Sequence, residues 1–346
     1  MWPYWLIFIL PLAGVTAQQR MASQRLAWFA LFVLLTVFIG FRYEVGGDWG
    51  NYLRHFDGMR YIRFSDALSY GDPAYYAINW IVADAGLSIV WVNLLCAVIS
   101  CFGMHSFCRS QPLPWLALTV AIPYLLIVVS MGYTRQAAAL GLALVGLTAL
   151  AKDNNRQFVF WVLLGALFHK SAVLLLPIAA LAATRNKIWT VIWVSAFLAL
   201  AAYMLLADSA EQMWQAYVVD AYAQASQGGA IRVLMNAVPA LILLRYRHRL
   251  FYARKEQRLW VWMAILSLAT VPMLYLSATG VDRVALYFIP LQIFVFSRLP
   301  YVATTAGNFN VIVYGTVAYY ALVQFVWLNF AYHAYAWVPY KNFLFI

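Results

Sequence analysis

Apolar stretches of roughly bilayer-crossing length constrain this chain more than any other feature. They fall at about 2–17, 26–41, 88–108, 113–131, 134–151, 188–207, 231–244, 259–277, 284–299 and 311–331. A helix rises ~1.5 Å per residue and a hydrocarbon core is ~30 Å thick, so about 20 apolar residues make one crossing. The sequence is 65% hydrophobic and only 10% charged, with 15 Trp, 23 Tyr and 22 Phe. A soluble domain has no use for so much apolar surface. The fold class is therefore an all-α polytopic integral membrane protein, with about 10 transmembrane helices in a single domain over 1–346.

Charge orders the connections. Reading the loops alternately places Arg20, Arg25, Arg109, Lys152, Arg156, Arg185, Lys187, Arg298 and the basic run 245–258 on the cytoplasmic side. These are 14 of the 23 Lys and Arg, against only Asp153 and Glu256 of the 12 acids, as the positive-inside rule requires. The run 245–258 reads as a cytoplasmic loop facing anionic lipid. A net charge of +11 is compatible with nucleic-acid binding, but no basic block with interleaved aromatics occurs, so no nucleic-acid partner is expected. The start Met1-Trp-Pro-Tyr-Trp lacks a basic n-region, and Arg20 and Arg25 follow the first apolar run, which together predict an uncleaved first span with its N-terminus outside. Cys96, Cys101 and Cys108 share one span without metal-ligand spacing and read as packing residues; no metal or cofactor is expected.

One segment breaks the alternation. Residues 157–184 are apolar but carry Phe168-His-Lys-Ser171 in the middle, between basic ends. Arms of about 12 residues are too short to cross, which predicts a re-entrant helical hairpin tipped by His169-Lys170-Ser171. One long tilted span is the alternative. Two loops, about 42–87 and 208–230, face outward, and Asp72-Pro73 in the first reads as a helix start.

Nine basic residues remain on the outer side, against the bias of the chain: Arg42, Arg54, Arg60, Arg63, Arg135, Lys170, Arg232, Arg283 and Lys341. Arg42 closes one span, Arg135 and Arg283 open two others, and Lys170 sits at the hairpin tip. Cations from separate segments at one depth can converge on an anion, or each can pair singly with Glu44, Asp48 or Asp282. Guanidinium groups bind phosphate oxygens bidentately, so a pyrophosphate at the outer leaflet is the natural ligand. No phosphate loop, HExxH, Gly-x-Ser-x-Gly or Asp-x-Asp motif is present.

The string Arg42-Tyr-Glu-Val-Gly-Gly-Asp-Trp-Gly-Asn-Tyr52 after a span resembles the signature of the EpsG-type polysaccharide polymerases, relatives of the Wzy O-antigen polymerases. Asp72-Pro-Ala-Tyr-Tyr76, Thr134-Arg-Gln136, Phe168-His-Lys-Ser171, Arg283 followed by Tyr287, and the terminal Val-Pro-Tyr-Lys-Asn-Phe-Leu-Phe extend the resemblance along nearly the whole chain. Gly47, where a small polar residue is expected before Asp48, is a minor departure. The resemblance implies a GT-C-like polymerase architecture in the bacterial inner membrane, with the site facing the periplasm or exterior. It also implies a metal-independent, inverting transfer of a growing glycan from undecaprenyl pyrophosphate to a hydroxyl of another lipid-linked repeat unit. Implied partners are that lipid-linked oligosaccharide, the bilayer, a chain-length regulator and other polysaccharide-assembly proteins. On this reading Arg42, Arg135, Lys170 and Arg283 hold the pyrophosphate. Asp48 or His169 is the base, with Asp48 alternatively Arg42's structural partner. Glu44, Trp49, Tyr52, Tyr76 and Tyr287 meet the sugars. Rival classes are a flippase for the same lipid and a polysaccharide acyltransferase using His169.

Overall fold

The computed structural model describes residues 1–16, 21–183, 189, 192, 196, 229–251, 254–275, 278–303 and 305–346. Almost all of the expected span 188–207 and of the loop 208–230 lies outside these residues, as do Arg20, Arg185 and Lys187. In chain order the helices are α1 (Trp2–Thr16), α2 (Met21–Gly40), α3 (Trp49–Gly58), α4 (Phe64–Ser69), α5 (Pro73–Asp84), α6 (Ile89–Arg109), α7 (Pro114–Ala121), α8 (Thr134–Ala151), α9 (Asn155–Ala166), α10 (Leu176–Ala183), α11 (Gly229–Leu250), α12 (Arg254–Met273), α13 (Ala278–Ala285), α14 (Ile289–Phe296) and α15 (Ala306–Phe330). Among the described residues there is no strand, only an isolated bridge between Arg42 and Asn342.

Four of these helices are long and apolar enough to cross a membrane: α6, α8, α11 and the stretch Gly307–Phe330 of α15. Shorter apolar helices occupy Trp2–Thr16, Gln24–Gly40 and Pro114–Ser130. Ile9, Phe29, Phe102, Leu241 and Val311 leave between 47% and 70% of their surface uncovered. Apolar side chains at that exposure on successive long helices suit hydrocarbon rather than water. The chain is a multi-pass membrane protein.

The described chain divides into two compact units. The first comprises Met1–Val145, Leu164–His169 and Val313–Ile346. Small residues bring its helices together. A Cβ on Gly103 of α6 would lie 1.8 Å from the Gly141 carbonyl oxygen of α8, and one on Gly40 would lie 2.7 Å from Leu94 Cα. Such backbone approach is how helices associate where water supplies no hydrophobic drive. The expected span 113–131 is α7 continued by a π-helical stretch, Ile122–Ser130. Pro123 lacks an N–H, which releases the regular ladder there. Ser130 Oγ then donates to Leu125 O at 3.0 Å, and the Trp337 indole donates to Ile127 O at 2.9 Å.

The second unit comprises Gly146–Leu163 and Lys170–Ile312. α11 packs along α12, and α13 and α14 lie against α11. Asn236 links them, donating to Ala285 O at 2.8 Å and accepting from Gln292 at 2.6 Å. The basic run 245–258 is not a plain loop. α11 continues through Leu250 and α12 starts at Arg254, because Arg247, His248 and Arg249 suit the negative end of a helix dipole. Glu256 and Arg298 pair at 2.7 Å, with the guanidinium 3.8 Å above the Phe294 ring.

The segment expected as a hairpin is broken where the sequence predicted. α9 ends at Ala166, and a 3-10 turn begins at Lys170 and leads into α10. The Leu167 carbonyl, released by the break, accepts from Ala74 N–H at 2.9 Å. That bond satisfies a helix-end group and ties the break to the start of α5.

Candidate functional site

The 41–52 cluster is held by the chain's other end. α2 stops at Gly40, and the strand-like passage that follows pairs with the C-terminal segment. Tyr43 N–H donates to Lys341 O at 3.1 Å, Phe343 N–H to Phe41 O at 2.8 Å and Gly46 N–H to Ala336 O at 2.8 Å. Tyr340 stacks on Phe38 at 4.4 Å and donates to its carbonyl at 2.8 Å. Gly46 has φ +112° and Glu44 φ +52°, both in the left-handed region. Glu44 pairs with Lys341 at 2.5 Å on the surface.

Arg42 is 1% exposed. Its guanidinium donates to Ile39 O at 2.9 Å, Asn93 Oδ1 at 3.2 Å and Thr134 Oγ1 at 2.7 Å. This corrects the expectation that Arg42 grips an external anion. It also removes Asp48 as its partner, since the acceptors are neutral groups on other elements. The physical reason is position: one residue beyond the helix-end turn, the side chain folds back onto the negative end of α2 and is sealed under α6 and α8. An isolated buried charge costs several kcal/mol, and here three oriented dipoles offset that cost.

Arg135 is different. It lies in the first turn of α8, where no acid is present, and its side chain is 34% exposed. A cation at a helix N-terminus opposes the dipole, so the position attracts anions. Its NH1 meets Asp72 Oδ2 at 2.9 Å, and the guanidinium lies 5.7 Å from the Tyr75 ring centre. Asp72 was expected to cap α5. It occupies the cap position but makes no side-chain cap bond.

Tyrosines surround this pair. Tyr52 packs on Tyr75 at 6.0 Å and Tyr75 on Tyr76 at 5.6 Å, with Tyr70 at 5.3 Å from Tyr76. Burial pushes the Tyr52, Tyr75 and Tyr76 hydroxyls above their usual values, while the charge on Arg135 pulls the other way, so all three stay protonated at neutral pH. Gly71 lets Tyr76 lie flat, since a Cβ there would stand 2.7 Å from its ring. His55 of α3 meets Tyr70 and Tyr76 edge-on at 6.2 and 6.4 Å. Partial burial, with Arg135 and Arg54 nearby, holds its imidazole below the ordinary value, so it is neutral at pH 7.

The first unit thus gathers Arg135, Asp72, Tyr52, Tyr75, Tyr76 and His55. The break before His169 is fixed to α5 two residues after Asp72. Asp48 is half-buried at the start of α3, where it makes no cap bond, and its charge acts on Tyr52. Trp49 meets Tyr43 edge-on at 5.7 Å. In the second unit Arg283 is exposed, next to Asp282, which pairs with Arg232. Lys170 is half-buried beside Ser171, whose hydroxyl is 3.0 Å from that of the buried Tyr287. Sequence reasoning missed Tyr75 and His55. Their signal was helical spacing: Tyr52 and His55 are three apart on α3, and Tyr75 follows the Asp72-Pro73 start directly. Among the described residues no three His, Cys, Asp or Glu side chains cluster as a metal site would.

The EpsG family model matches residues 25–342. This family is one of polysaccharide polymerases acting in exopolysaccharide biosynthesis. No curated protein and no solved structure matches the chain.

Proposed function

Because this chain belongs to the EpsG family of Wzy-like polysaccharide polymerases, we propose that it joins lipid-linked repeat units at the outer face of the bacterial inner membrane. The donor is a growing glycan on undecaprenyl pyrophosphate, and the acceptor is another lipid-linked repeat unit. The acceptor hydroxyl attacks the donor's anomeric carbon through an oxocarbenium-like state. The bond from that carbon to the pyrophosphate oxygen breaks, and the configuration inverts. The observation that carries this reading is Arg135, a partly exposed guanidinium at a helix start, walled by protonated tyrosines and one carboxylate.

Arg135 neutralises the charge growing on the departing pyrophosphate. Lys170 and Arg283 are assigned the same class of ligand. Arg42 serves from inside, fixing Thr134 at the mouth of α8. The acceptor's proton goes to Asp48 or to His169. Asp48 has its carboxylate free of capping, and His169 stands at the break tied to α5. Trp49, Tyr52 and Tyr76 offer ring edges and hydroxyls to sugars, and Glu44 an acceptor at the rim. Tyr287, 1% exposed, instead supports Ser171 from inside, which corrects its expected sugar contact. A chain-length regulator and other polysaccharide-assembly proteins are the proposed partners.

Purified protein in detergent should extend an authentic lipid-linked repeat unit into a ladder, with EDTA present and no nucleotide sugar. Failure to form a ladder, with transbilayer movement of the lipid in vesicles instead, would replace the polymerase by a flippase.

A further inference from the structure

Three positive sources meet at the first turn of α8: the helix N-terminus, the Arg135 guanidinium and Arg42, bonded from beneath to Thr134. The ion pair at this turn comes from Asp72, 6% exposed, which stands at the cap position of α5 and directs its carboxylate across to Arg135 instead of capping. A residue that forgoes a local cap for a contact 63 positions away is holding the other partner in place. The Tyr75 ring, three residues along α5 from Asp72, lies 5.7 Å from the same guanidinium. Carboxylate and ring therefore belong to one helix start, which the Leu167 carbonyl fixes through Ala74.

Building on the pyrophosphate reading above, we propose that Asp72 is a positioning residue for the transfer. It holds Arg135 by one amino group beside Tyr75, with the Tyr52 hydroxyl also bonded to the guanidinium, and leaves the exposed third of the side chain for a pyrophosphate oxygen. Its negative charge also weakens the grip on that group, so the leaving pyrophosphate is released after the bond breaks. A charge 2.9 Å from the guanidinium competes directly with any anion that the guanidinium binds.

The test uses full-length protein in detergent, with elongation kinetics and calorimetric binding of inorganic pyrophosphate. Asp72→Asn keeps the shape and removes the charge. It should lower kcat at least tenfold while tightening pyrophosphate binding about fivefold or more. A merely structural role would lower kcat without tightening binding, and that result overturns the proposal, as does a wild-type kcat. Should D72N not fold, the exchanged pair D72R/R135D restores the ion pair with the cation on α5. It should fold, fail to elongate and lose pyrophosphate binding; wild-type elongation by the exchanged pair would overturn the proposal. Arg135→Ala separates the two readings. Unchanged pyrophosphate binding in R135A sinks the pyrophosphate assignment itself, whereas lost binding in R135A beside wild-type-like D72N sinks only the role of Asp72.

Discussion

Replacing Gly46 by alanine tests how the site's outer wall is held. Gly46 has φ +112°, a region that L-residues rarely enter, and an alanine Cβ would stand 2.4 Å from the Met131 carbonyl oxygen, where ordinary contact begins at 3.4 Å. The obstacle is backbone, at the end of the π-helical stretch, so no side-chain rotation relieves it. Backbone strain of this kind costs ~1–3 kcal/mol and overpacking a further ~1–3 kcal/mol. Alanine recovers ~0.4–1 kcal/mol through the unfolded chain. The net expectation is a loss of about 1–6 kcal/mol. The assay is SDS-titrated unfolding in mixed micelles, followed by tryptophan fluorescence. Gly50→Ala is the internal control. It lies in α3 with nothing within 4 Å, so it should be neutral or stabilising by up to ~1 kcal/mol. If G46A and G50A unfold together, the close approach of Gly46 to the Met131 carbonyl is not what fixes this wall.

Two further outcomes follow from the same geometry. Arg42→Lys keeps the charge but loses the fork that reaches Ile39, Asn93 and Thr134, so unfolding in the same assay should shift by ~3–5 kcal/mol; a shift below ~1 kcal/mol would show that the buried guanidinium is not structural. His55 faces Arg54 on its own helix, Arg135 from α8, and the rings of Tyr70 and Tyr76. Its folded value is depressed, so the unfolded chain binds that proton more readily. Its contribution is then full above the unfolded value of 6.5 and falls as pH drops through and below it. Melting temperature should decline from pH 7 to 5 less steeply in His55→Gln than in wild type, and identical slopes would refute this.

The existence of most long helices could be read from hydropathy, because a bilayer fixes span length. Several ends lie four to six residues from those expected, and the span expected at 284–299 is broken into α13, a 3-10 turn and α14. The span expected at 134–151 is α8 to the residue, and the break at His169 was visible as polar residues inside an apolar arm. The π-helical stretch was not, since nothing in Ile122–Ser130 beyond Pro123 distinguishes it from an ordinary apolar helix. The same limit governs the site. Sequence can show that arginines stand against the charge bias of a chain, but not which of them is sealed inside. Arg42 and Arg135 read alike, yet one is 1% exposed among neutral dipoles and the other opens a helix toward solvent. Asp72 read as a cap because caps are local. Its contact with Arg135 crosses 63 residues and follows only from packing.

The central claim is that Arg135 assists the departure of a lipid pyrophosphate as each glycosidic bond forms. The direct measurement is the count of undecaprenyl pyrophosphate released per repeat unit joined, by purified wild-type protein and by Arg135→Ala. The account predicts one released per bond in wild type, and in R135A a fall of about a hundredfold in both release and joining with the melting temperature preserved. Bond formation without matching release, or wild-type release by R135A, would contradict it.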